Sequence, residues 1–282
     1  MASLKRLARS HFVQKSVGIL AAEYLRFVWL TNRSVLEPAD IYERMAPQLP
    51  VIIAMWHGQH FLVPFIRKNY SAKVLISRHR DGSGWLSEET EDDPARLSAK
   101  RVWIVDPIDG TRAFIAGFPD WTISIGLAEA GRPIVGAIFA PVTDQLFVAV
   151  AGGGATCNGR SIAASAGTSL AHARVAGPPR RLERLAPLDI IAEPKVHSLA
   201  LRIARVADGS LDAALAGPDG HDWDLAAADL LVHEAHGALT TLAGETLTYN
   251  RPKPIHGALL AAGRARHAVL RDLLREGSVA FR

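Results

Sequence analysis

Cysteine is almost missing from this 282-residue sequence, with Cys157 the single one. That excludes an internal disulfide and a zinc site built on several thiolates, and it suits a reducing cytoplasm. Charge of one sign is not gathered anywhere either. The 32 Lys and Arg against 28 Asp and Glu leave a net charge of +4. The basic residues are spread along the chain without the patch or stripe that a nucleic-acid polymer requires. Long hydrophobic runs are also lacking. The most apolar N-terminal stretch, SVGILAAEYLRFVWL (16–30), contains Glu23 and Arg26 and no small-residue cleavage pattern. Neither a signal peptide nor a spanning helix is expected from it. There is no internal repeat. What the chain does have is 49% hydrophobic residues, enough at this length to bury the core of one large domain or two small ones.

Hydrophobic spacing predicts helices over 3–33, 38–46 and 58–67, and strands at VIIAMW (51–56) and KVLIS (73–77). Leu20, Tyr24, Phe27 and Val28 make the first helix amphipathic. Two readings follow: packing onto the rest of the protein, or peripheral contact of residues 1–33 with the inner membrane. Beyond a Gly-Ser-Gly at 82–84 the texture changes. RVWIVDP (101–107) reads as a buried strand ending in a carboxylate-bearing turn, and 122–162 reads as an antiparallel meander with turns at AGRP, VTDQ and CNGR. Residues 165–184 look like a surface connection. LDIIAE and LDAALAG are predicted strands flanking a helix, SLALRIARVADG, that ends at Gly209. HDWDLAAADLLVHEAHG is a helix with Leu225, Ala228, Leu231, Val232 and Ala235 on one face and Gly237 as its stop, and a last helix spans about 264–276.

Acidic residues stand where elements begin or end: Glu88 and Glu89 in LSEET, Asp106 and Asp109 in VDPIDGT, and Asp224 in HDWDLAAAD. Each alone has an ordinary reading, as a turn residue or, for Asp224, as a helix-start residue. Brought together, Glu88, Asp106, Asp109 and Asp224 would repel unless a cation lay between them. Hard carboxylate oxygens suit magnesium. Two such ions about 4 Å apart can clamp a phosphate and activate a water.

The segments WLSEET, WIVDPIDGTRAFIAGFPDWTISIGLAEAGRP, GGGATCNGR and HDWDLAAADLLVHEAHG together resemble the inositol monophosphatase superfamily, especially its CysQ-type 3'(2'),5'-bisphosphate nucleotidases, over about residues 84–263. The resemblance implies a layered α/β sandwich and a magnesium-dependent phosphatase acting on a small phosphomonoester, either a bisphosphate nucleotide or an inositol or sugar phosphate. It implies one metal on Glu88, Asp106 and the carbonyl of Ile108, and another on Asp106, Asp109 and Asp224. Thr111 would orient the water, Gly110 and Thr111 would offer backbone N–H groups to phosphate, and a homodimer would be the assembly. Arg112 has two open readings, an anion contact or a solvated surface group. His221 and Asp222 would line the substrate pocket, while Trp121 and Trp223 read as packing residues and Cys157 as no nucleophile.

The N-terminal segments LARSHFVQKSVGILAAEYLRFVWLTNR, PVIIAMWHGQHFLVPF and KVLISRHRDG resemble instead an uncharacterised family related to lysophospholipid acyltransferases. The expected organisation is therefore a fusion: an α/β acyltransferase-like fragment over 1–82, then a phosphatase domain over 83–282 that lacks the family's usual N-terminal helices. Asp40 is the one candidate to replace the acid those helices carry. His57, His60 and His79 lack the acid five residues on that would orient an acyl-transfer base. A membrane-surface acyltransferase-like protein and a non-catalytic fusion product are the alternative readings.

Overall fold

The computed structural model describes residues 83–275, within a unit that spans Ile76–Arg282. Every expectation placed on residues 1–82, including the helices, the amphipathic face, Asp40 and the three histidines, lies outside the described residues. The strands are β1 (Gly84–Ser87), β2 (Arg101–Asp109), β3 (Thr122–Glu129), β4 (Arg132–Ala140), β5 (Gln145–Val150), β6 (Gly154–Cys157), β7 (Arg160–Ser161), β8 (Arg174–Ala176), β9 (Ile191–Ala192), β10 (Ala213–Ala216), β11 (Gly220–His221), β12 (Gly237–Thr241), β13 (Ile255–His256) and β14 (Leu259–Gly263). The helices are α1 (Thr111–Ala116), α2 (Pro179–Leu185), α3 (Leu199–Ala207), α4 (Asp222–Glu234) and α5 (Arg264–Arg275).

Strands β1 to β7 form one sheet in chain order, with β1 parallel to β2 and the rest antiparallel. Strands β3 to β7 are the predicted meander. A second sheet runs β12-β14-β10-β8-β9, and β11 pairs with β13 alone. Helices α3 and α4 lie between the two large sheets. In β10 the period of two sorts the side chains: Ala214 and Ala216 join the core around α3 and α4, while Ala213 and Leu215 join a second core under α2 and α5. The expected layered α/β architecture is present.

Helix α4 is the central element and is apolar on more than one face. Leu225 through Leu231 are buried without a break. Its alanines let the backbone approach the first sheet where Gly126 of β3 pairs with Gly136 of β4. A Cβ on Gly136 would meet the Ala227 carbonyl oxygen at 2.9 Å, and one on Gly126 would meet Ala226 Cβ at 3.0 Å.

Three sequence expectations are corrected. Residues 165–184 are not only a surface connection: Val175 and Ala176 of β8 are fully buried, and α2 follows. The small Ala-Gly-Pro side chains conceal a strand that is only three residues long. The strand expected over LDIIAE shrinks to Ile191–Ala192 at the sheet edge. Helix α4 is not stopped by Gly237. His236 takes the left-handed conformation (φ +65°), and Gly237 already belongs to β12, where a Cβ would strike Val232 at 2.6 Å. Among the described residues no helix is long and apolar enough to cross a membrane.

Candidate metal centre

The end of β2 carries two carboxylates, and a register break aims them together. Asp106 pairs with Ser124 and Asp109 with Thr122, so three steps along β2 match two along β3. One extra residue is accommodated, the signature of a bulge, and Pro107 cannot donate to the ladder in any case. In a regular strand residues three apart point to opposite faces. Here Asp106 and Asp109 are both buried on one side. The sequence reading of this segment as a turn is thus replaced by a bulged strand that continues to Asp109.

Asp224 comes from the first turn of α4, where the helix dipole favours an acid, and its Oδ2 accepts the His221 backbone N–H at 2.8 Å. One carboxylate oxygen each from Asp106, Asp109 and Asp224 lie within 4.8 Å of one another. The electrostatic strain of that arrangement is large. Burial, then the charges of Asp109, Glu88 and Asp224, push the Asp106 carboxyl up to about 9. Burial and Asp109 push Asp224 to about 7. Burial also raises Asp109, opposed by donors from the start of α3: Ser198 Oγ and the Ala200 N–H each reach Asp109 Oδ2 at 2.6 Å. Asp106 Oδ1 accepts the Ile108 N–H at 2.8 Å, but its buried Oδ2 receives no donor. A buried, unpartnered carboxylate oxygen beside two further carboxylates fits a hard divalent cation.

The other expected site residues are placed around this triad. Glu88 follows β1 directly, is exposed, and stands outside the group of three ligand oxygens, although its charge acts on Asp106 and Asp224. It lines a cavity of about 400 Å³ with Gly110, Thr111, Arg112, Lys195 and His197. Gly110 has φ +89°, and a Cβ there would meet the Asp120 carbonyl and the Ser198 N–H at 3.1 Å, so a side chain is excluded on two counts. The Thr111 hydroxyl donates to the Ile108 carbonyl at 3.0 Å. As the first residues of α1, Thr111 and Arg112 have no N–H partner inside the helix. His221 stacks on Trp223 (centroids 4.5 Å apart, planes 7° apart) and is not among the residues lining this cavity. Trp121 packs edge-on against Phe114, and burial pushes the Cys157 thiol up, away from nucleophilic use.

Asp222, expected with His221 at the substrate pocket, is fully buried and bonded to His256 Nε2 and the Asn250 N–H, both at 2.7 Å, so it holds the start of α4. Other participants were invisible in the sequence. His197, on the cavity wall, is paired with Asp120. Ser198 caps α3 by accepting the Leu201 N–H at 2.9 Å, a role that a serine before an apolar run signals in general. Nothing in spacing pointed to His197. A larger groove of about 910 Å³ runs past Val102, Ala128 and Tyr249, at the other end of β2 from the carboxylates.

Comparison with known proteins agrees with this geometry. The model of the inositol monophosphatase family matches residues 66–276. The chain is 38% identical over 193 residues to inositol monophosphatase 2 of Solanum lycopersicum, covering 62% of this chain and 73% of that protein. It is 36% identical over 185 residues to a histidinol-phosphatase of Mycobacterium tuberculosis, covering 61% and 70%. The crystal structure of extragenic suppressor protein suhB from Bartonella henselae superposes with a TM-score of 0.61 at 31% identity, covering 70% of this chain and 81% of that one. A bulged strand with two aspartates, a third aspartate on the central helix and a family match over most of the chain lead to one conclusion: this chain belongs to the inositol monophosphatase family.

Proposed function

We propose that this chain is a magnesium-dependent phosphomonoesterase, and the observation that carries the reading is the group of buried Asp106 and Asp109 with half-buried Asp224, its Asp106 oxygen unpartnered, beside the cavity of Gly110 and Thr111. Glu88, Asp106 and the Ile108 carbonyl would hold one magnesium, and Asp106, Asp109 and Asp224 another. When bound, magnesium supplies Lewis-acid polarisation of the phosphate and a more acidic water. The residues of the chain do the rest. Ser198 and Ala200 keep Asp109 oriented. Thr111 spends its hydroxyl proton on Ile108, which leaves the oxygen's lone pairs to accept from an attacking water. Gly110 lets the backbone approach the phosphate, and Arg112 and Lys195 supply positive charge along the cavity.

The finer substrate reading is a 3'(2'),5'-bisphosphate nucleotide, with inositol or sugar phosphates as the other members of the class. It is supported by the motif resemblance to the CysQ branch and by the two permanent cations in the cavity. The test is phosphate release, with and without magnesium, from 3'-phosphoadenosine 5'-phosphate, inositol 1-phosphate and histidinol phosphate. Release that needs magnesium and disappears in Asp106→Asn is expected. Equal release by both proteins would sink the reading. A fusion origin for residues 1–82 and a homodimeric assembly are parts of the same proposal, supported by the N-terminal motifs and by the family respectively.

A further inference from the structure

His197, on the wall of the cavity, is paired with Asp120, and the carboxylate triad uses neither. Asp120 Oδ2 accepts the His197 backbone N–H at 2.5 Å and lies 2.7 Å from Nδ1 of its ring. Burial works to raise the Asp120 carboxyl, but these two contacts outweigh it and hold the group below the usual carboxylate range. An ionised carboxylate only accepts, so Nδ1 carries the proton. The opposite constraint comes from Phe118, whose ring stacks on the imidazole with centroids 5.4 Å apart and planes 12° apart. Fixed at one nitrogen and on one face, the ring keeps Nε2 without a partner among the described residues, and His197 lines the cavity. The charged neighbours are Arg112, Lys195 and Glu88 on the same cavity, and half-buried Arg202, which interacts electrostatically with Asp120 and Asp109.

We propose that His197, oriented by Asp120, donates the proton that the leaving group takes up. The proposal rests on the phosphomonoesterase reading. A phosphate held by Gly110 and Thr111 beside the triad would share with its leaving group a cavity of about 400 Å³ whose wall includes His197. As water attacks phosphorus, the ester P–O bond breaks and its electron pair leaves with the ester oxygen. That oxygen takes the proton from Nε2 of the imidazolium. The attacking water releases one proton to solvent, and solvent returns one to His197, so that phosphomonoester and water become alcohol and inorganic phosphate. Imidazole exchanges protons near neutral pH, which suits a group that gives up a proton and takes one back in each cycle.

Leaving-group dependence tests this. Inositol 1-phosphate expels an alkoxide that needs a proton, whereas 4-nitrophenyl phosphate expels a phenolate that does not. His197→Asn keeps a donor for Asp120 at the position of Nδ1 and removes Nε2. With magnesium present, kcat on inositol 1-phosphate should fall about 100-fold, the lower end for general acid catalysis, while kcat on 4-nitrophenyl phosphate changes less than about threefold. Asp120→Asn should give a smaller loss, again on the alkyl ester alone. A magnesium-induced rise in Tm like that of the unchanged protein checks that the variants fold. Losses equal on both esters, or no loss, in either variant would overturn the assignment and leave the phosphatase reading standing. No magnesium-dependent release by the unchanged protein from these two esters, from 3'-phosphoadenosine 5'-phosphate or from histidinol phosphate would overturn both.

Discussion

At Asp106 two demands conflict: a carboxylate must be kept out of water, and it must be kept charged beside other carboxylates. The conflict has a measurable consequence in the metal-free protein. Its ordinary carboxyl value is near 4 in the unfolded chain, and folding raises it to about 9, with Asp224 raised to about 7. Over that interval the folded chain holds protons that the unfolded chain has released, so stability falls as pH rises. Burial holds His267 near 4, well below its ordinary 6.5, so its own contribution to stability is complete by pH 7. In the presence of a chelator, Tm should therefore decline between pH 7 and 9. Asp106→Asn should flatten the decline, and so should millimolar magnesium, which takes the place of the protons. A Tm that is constant or rising over this window in chelator would contradict burial and like charge as the cause of the shifts.

At the scale of elements, Asp224 is only as well placed as α4, and α4 is placed by two glycines in the sheet beneath it. Gly136→Ala forces a methyl against the Ala227 backbone at 2.9–3.0 Å, where neither partner is a flexible side chain. Overpacking of this kind costs about 1–3 kcal/mol. The variant should unfold at correspondingly lower denaturant and bind magnesium more weakly, because the displaced helix carries a ligand; unchanged denaturation would show that the sheet yields instead. This scale is also where sequence reading worked unevenly. Strands β2 to β5 and helix α4 are legible because their period of 2 or 3.6 extends over several residues, and the short β6 and β7 because a CNGR turn signal lies between them. Strand β8 is not, since three residues cannot display a period, and β9 is legible only as a longer strand than the two residues that form it. The bulge at Pro107 was read as a turn because proline and Asp-Gly signal both, and only the register of β3 distinguishes them.

For the molecule as a whole, the candidate ligands Asp106, Asp109 and Asp224 were readable from motifs that each occupy one short stretch. The second half of the cavity was not. Lys195 and His197 lie about 85 residues from Arg112 in the chain and come to the same wall only because β2, β3 and α3 converge there. Asp109 is the knot of that convergence. It ends a strand of the first sheet, and its Oδ2 accepts from Ser198 and Ala200 at the start of α3. Asp224, on α4, reaches the same point from the other helix of the middle layer. Whatever cation settles among these carboxylates therefore clamps together three elements far apart in sequence, and the clamp should be visible as slowed amide exchange. Magnesium is expected to protect β2, α3 and α4 in concert, well beyond the residues it touches, while α5 on the outer side of the second sheet keeps its rate. Protection confined to residues 106–111 would mean that the site is a local loop and that the three elements open independently.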